Sequence, residues 1–102
     1  MKLPGNMQSM MKQAQAMQEK LQQDIAAIRT EASAGGGMVT VKMDGQKNCL
    51  GVVIDPEAAT DVEMLQDMVM AAFNEAVKKV EAESQKKMSG MLGGMGLPPG
   101  LF

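Results

Sequence analysis

The hydrophobic period of this chain changes twice, and those changes restrict the folds open to it. From residue 7 to 29, apolar side chains recur at three- and four-residue steps: Met7, Met10, Met11, Ala14, Met17, Leu21, Ile25 and Ile28. That spacing predicts a helix with one apolar face. Gln8, Lys12, Gln15, Glu19, Gln22 and Gln23 fall opposite, and Asn6 is placed to cap the start. The period then drops to two. Over 38–44, Val39, Val41 and Met43 alternate with Thr40 and Lys42, the pattern of a half-buried strand. Asp44-Gly45 opens a turn, and residues 48–54 predict a second strand with Leu50, Val52 and Ile54 on one face and a bulge at Gly51. Residues 30–34 predict a short edge strand. The helical period returns over 61–88, with Val62, Leu65, Val69, Ala72, Phe73, Ala76 and Val80 as its stripe. Thr60 and Glu63 have the spacing of a capping box at its start.

Gly35, Gly36 and Gly37 sit where the first two strands must be joined. A phosphate-binding loop would need a lysine and a Ser/Thr after the glycines and then a helix. A dinucleotide fingerprint would need a strand before them and a helix after. Here a strand follows, so the glycines read as a turn that uses positive φ.

The outline is α+β: helix, three-stranded antiparallel sheet, helix, in a single domain over 1–88. Residues 89–102 mix glycine, proline and apolar residues without periodicity and read as a flexible tail. Both helices can lie on one face of the sheet, but the lengths do not match. The first helix runs roughly 33 Å and a six- or seven-residue strand only about 20 Å. The overhanging, methionine-rich side needs another cover, and a second copy of the chain is its natural source. Met17, Leu21, Ile25, Val39, Val41, Leu65 and Phe73 are the residues assigned to the core or that interface.

Catalysis finds little support. The chain has no histidine, and its one cysteine, Cys49, lies in a strand without a histidine partner, where a buried structural thiol is the better reading. Ser33, Ser84 and Ser89 lack triad partners. Asp55, Glu57 and Asp61 match no cation-binding loop and are better explained as helix-start acids. No cofactor and no metal are implied. The N-terminus does not read as a signal peptide. No stretch approaches the roughly 18 apolar residues of a membrane span, so a cytoplasmic protein without a membrane partner is expected.

The formal net charge is −2, so no nucleic-acid signal comes from the total. Its distribution is uneven. Residues 56–83 hold seven acids against Lys78 and Lys79, whereas residues 84–102 hold only Lys86 and Lys87. Acids at the start of the second helix and lysines toward its end also suit the helix dipole.

Taken in order, "MQSMMKQAQAMQEKLQQ", "GGGMVTVKMDG", "VVIDPE" and "DVEMLQDMVMAAFNEAVKKVEAESQKKM" span most of the chain. Together they resemble the YbaB/EbfC family of bacterial nucleoid-associated proteins. The resemblance implies a helix–sheet–helix fold that dimerises into a tweezer-like shape. It also implies binding of double-stranded DNA with limited sequence preference, a place in the nucleoid, and roles in nucleoid organisation and gene regulation. A recombination-repair or clamp-loader protein is a further implied partner. If DNA is bound, the cations available are Lys78, Lys79, Lys86 and Lys87 on the second helix and Lys12, Lys20 and Arg29 on or after the first. Phe73 and Phe102 are the only aromatics, which disfavours single-strand binding by stacking. The alternative reading is a dimeric adaptor for a repair or replication protein, binding through its methionine-rich face.

Overall fold

The structure, a computed structural model, describes residues 5–93. Its elements are α1 (Gly5–Ala26), β1 (Arg29–Ala34), β2 (Val39–Asp44), β3 (Cys49–Ile54), a short 3-10 helix (Pro56–Thr60) and α2 (Val62–Gly93). The strands form one antiparallel sheet in the order β1-β2-β3. Ala32 pairs with Val41 and Ala34 with Val39; across the other ladder Val41 pairs with Val52 and Val39 with Ile54. Because side chains alternate across a sheet, these residues share one face with Met43.

α2 covers that face over β1 and β2. Met68, Ala72, Ala76 and Val80, at four-residue steps, are buried against Ala32, Val39, Val41 and Met43. The two alanines let the helix axis approach the sheet closely. The stripe is rotated from the predicted one. Met68 joins it, Leu65 and Val69 flank it, and Val62 and Phe73 lie outside it on the exposed side.

Gly35, Gly36 and Gly37 have φ of +65°, +68° and +94°. This is the left-handed backbone the turn reading required. The β2–β3 ladder shifts from Lys42↔Gly51 to Met43↔Cys49, leaving Leu50 as the extra residue of a bulge beside Gly51. The turn between these strands is built on Asp44. Its carboxylate accepts from the backbone N–H groups of Gln46 and Asn48, both at 2.9 Å, and from the Asn48 amide.

Several boundaries differ from the sequence reading. α1 ends at Ala26 rather than 29, because Arg29 enters the sheet opposite Asp44. Asn6 lies inside the first turn of α1, where its side chain accepts from the Met7 N–H. Thr60 does not cap α2. It belongs to the 3-10 helix, where its hydroxyl donates to the Glu57 carbonyl. Asp61 takes the cap instead, accepting from the Met64 N–H at 3.1 Å. α2 continues to Gly93, through the predicted boundary at 88. Met88 and half-buried Met91 extend its apolar side past Ser89 and Gly90, and one glycine costs a helix only about 1 kcal/mol. The remainder of the predicted tail, 94–102, lies outside the described residues.

α1 does not lie on the sheet as predicted. It packs on α2, and its half-buried residues, Met17, Leu21, Asp24, Ile25 and Ala26, all belong to its second half. It meets the sheet region at its C-terminal end, where the Ile25 carbonyl sits against Gly45 in the β2–β3 turn. The two helices therefore extend as an arm, and the long axis of the molecule is 69 Å against 25 and 17 Å across.

Candidate nucleic-acid interface

On α2, positions 79, 82, 83 and 86 fall on one face, with 87 beside them. That face looks across the start of β1. Between them is an open cleft of about 590 Å³, lined by Ile28 through Glu31 and by Lys79, Ala82, Glu83, Lys86 and Lys87. Four cations, Arg29, Lys79, Lys86 and Lys87, meet two carboxylates there, Glu31 and Glu83. The local balance is therefore positive on a chain whose total is −2.

Each cation is held differently. Arg29 donates through Nη1 to the carbonyls of Ala26 and Ile28, both at 2.8 Å, which caps the negative end of α1. The Lys79 ammonium donates to the Glu31 carbonyl at 2.8 Å. Lys86 pairs with Glu83 at 3.6 Å. Lys87 has no carboxylate partner among the described residues. The Glu31 carboxylate pairs with Lys42 at 3.8 Å.

The cleft gathers four of the seven cations the sequence singled out. Lys78 is exposed one position round the helix, and Lys12 and Lys20 are exposed on α1; none of the three lines it. The sequence reading did not single out Glu31 and Glu83. The i,i+4 spacing of Lys79 and Glu83 and the i,i+3 spacing of Glu83 and Lys86 carried that signal. The acids at the start of α2 are remote. Asp67 precedes Lys79, the first lysine of the cleft, by about 18 Å of helix. Asp55 and Asp61 serve as caps, accepting from the N–H groups of Glu57 and Met64. Among the described residues, no three potential ligands cluster to hold a metal ion. No described helix is long and apolar enough to cross a membrane.

A second surface is apolar. Val52 and Ile54 point to the face that α2 covers, but α2 stops short of β3 and leaves them 45% and 39% exposed. On the outer side of α2, Leu65, Val69, Met70 and Phe73 line a shallow groove of about 470 Å³ with Gln66 and Asn74. Of the residues assigned to core or interface, Val39 and Val41 are buried, Met17, Leu21, Ile25 and Leu65 half-buried, and Phe73 exposed. Cys49 is exposed rather than buried, because β3 is an uncovered edge. Met7, Met10 and Met11 are exposed along α1.

The model of the YbaB/EbfC DNA-binding family matches residues 2–95. A nucleoid-associated protein of Acidobacterium capsulatum is 49% identical over 106 residues, covering 97% of this chain and 98% of that one. One from Koribacter versatilis is 53% identical over 95 residues, covering 91% and 94%. One from Xanthomonas campestris pv. campestris is 47% identical over 100 residues, covering 95% and 94%. The crystal structure of an uncharacterized Helicobacter pylori protein superposes with a TM-score of 0.74 over 89% of this chain and 99% of that one. At 23% identity, that match speaks for the fold alone.

Proposed function

The chain belongs to the YbaB/EbfC DNA-binding family, and from that premise we propose that it is a nucleoid protein that grips duplex DNA by its phosphates through the α2 cleft. The observation that carries this reading is the convergence of Arg29, Lys79, Lys86 and Lys87 on one cleft. Contacts from these cations to phosphate carry no sequence information directly, so binding through them has limited sequence preference. This supports a part in nucleoid organisation and gene regulation and requires no catalytic group.

The apolar surface supports a partner copy. Val52, Ile54 and Phe73 are left bare by the subunit's own elements, and a second copy that covers them forms a homodimer. Two clefts on one particle then engage one duplex, which multiplies weak contacts. Lys78, Lys12 and Lys20 supply outer contacts on the arms.

A mobility shift on unrelated duplexes across a salt series tests the reading. The protein should retard all of them alike, with log affinity falling by about 0.9 per phosphate contact for each unit of log salt. Changing Lys79, Lys86 and Lys87 together to glutamine should weaken every duplex equally and flatten that slope. No retardation of any duplex at low salt by the unmodified protein would refute it.

A further inference from the structure

We propose that Glu83 is a positioning residue for Lys86 that limits how tightly the cleft holds DNA, an inference that rests on the phosphate-binding reading above. Glu83 lines the cleft together with its cations, Arg29, Lys79, Lys86 and Lys87. Its side chain is 44% exposed, while that of Lys86 is 75% exposed, and the two meet at 3.6 Å. Glu83 is thus the more recessed partner, and it draws the more exposed ammonium toward itself. A phosphate entering the cleft must compete with Glu83 for Lys86, and it meets a carboxylate when it does.

The same geometry separates Glu83 from Glu31. The Glu31 carboxylate is engaged by Lys42 at 3.8 Å, and Lys42 does not line the cleft. Glu31 acts on Lys79 through its main-chain carbonyl, which no side-chain change removes. Glu83 is the carboxylate in the cleft whose ion partner is itself a cleft lysine.

The consequence appears in the salt dependence. A free lysine that neutralises a phosphate releases a condensed counterion. Lys86 already carries Glu83 as its counter-charge. When it turns to phosphate, the Glu83 carboxylate is left beside that phosphate, a repulsion that salt screens, so the contact adds less to the salt slope than a lysine without such a neighbour. Without the carboxylate, Lys86 contributes its full share. Binding then both tightens and becomes more salt-sensitive.

The test compares three proteins on a short fluorescein-labelled duplex by anisotropy across a salt series: the parent, Glu83→Gln and Glu75→Gln. Glu75 is exposed on α2 outside the cleft, so its change alters net charge equally. Glu83→Gln should bind about 1.5- to fivefold more tightly at low salt, the range set by an exposed ion pair. Its slope should steepen by up to about 0.9 per cleft. Glu75→Gln should stay near the parent in both. Circular dichroism melts should show both variants folded, since neither side chain is buried. A Glu83→Gln protein matching the parent, or a Glu75→Gln protein gaining as much, would overturn this proposal while leaving the DNA reading intact. A parent that binds no duplex would remove both.

Discussion

The ammonium of Lys79 donates to the main-chain carbonyl of Glu31 at 2.8 Å, joining α2 to edge strand β1 across 48 residues of chain. Glu31 pairs with Lys42 in the ladder, so the carbonyl that holds Lys79 is fixed by the sheet. One lysine therefore both secures the helix and lines the basic cleft.

That double role separates Lys79 from Lys87. Lys79→Gln and Lys87→Gln should each weaken duplex binding and reduce the salt slope by up to about 0.9 per cleft. Lys79→Gln should also lower stability, by about 1 kcal/mol for the lost hydrogen bond, whereas Lys87→Gln should melt with the parent. Lys78→Gln, one position round the helix, should have the smallest effect on binding. If Lys78→Gln cost as much affinity as Lys87→Gln, the contact surface would lie outside the cleft.

Asp44 gives the β2–β3 turn a pH dependence. Its pKa is lowered chiefly by the Asn48 backbone N–H, with the Asn48 side chain, the Gln46 N–H and Arg29 adding to the effect. A carboxyl whose folded pKa is depressed contributes stability above its unfolded pKa and loses it as pH falls through the folded value. Asp44→Ala should therefore be less stable than the parent at neutral pH. The gap should narrow as the pH is lowered through the carboxylate range. Denaturant melts of both proteins at several pH values check this, and a gap of constant size would show that the charge is not what holds the turn.

The elements were legible in the sequence because their periods are clean. Val39, Val41 and Met43 alternate, and the glycines at 35–37 supply the turn. What the sequence could not give was the direction in which each helix faces. Phe73 and Ala72 are adjacent in one stripe, yet Ala72 is buried under the sheet and Phe73 is exposed. In the sequence, an apolar stripe that stays exposed on the subunit looks the same as one that enters the core. The α1 stripe was likewise apolar enough for a sheet, but it covers α2. The cations of the cleft could be listed but not grouped. Arg29 is fifty or more residues from its cleft partners, and only the β1–α2 packing brings them together.

Gly45 is a close-approach glycine rather than a left-handed one. A Cβ added there would collide with the Ile25 carbonyl, a backbone atom that cannot swing aside. Gly45→Ala should cost about 1–3 kcal/mol, the usual range for overpacking, read as a lower denaturant midpoint. The damage should centre on the junction of α1 with the β2–β3 turn, so hydrogen exchange should rise there first. Gly36→Ala has open space around its Cβ and strains only its backbone, at φ +68°. Its protein should show no such change at the α1 end. Equal loss of α1 protection in both would mean that the Ile25–Gly45 contact does not anchor the arm.

Assembly separates the buried core from the bare apolar surface. Val41 is fully buried between sheet and helix, so Val41→Lys puts an unpartnered charge in the core and should prevent folding. Phe73 is 39% exposed within the subunit, and a lysine there can reach water by snorkelling. If a second copy covers Phe73, Phe73→Lys should keep its helical signal and yet sediment as a monomer at concentrations where the parent is a dimer. Val52→Lys, on bare strand β3, should act in the same way. Loss of the dimer should also weaken DNA binding by more than any single cleft lysine does, since two clefts then no longer share one duplex. A parent that sediments as a stable, well-folded monomer at low micromolar concentration would defeat the dimer reading. A Phe73→Lys protein that stays dimeric would move the interface elsewhere.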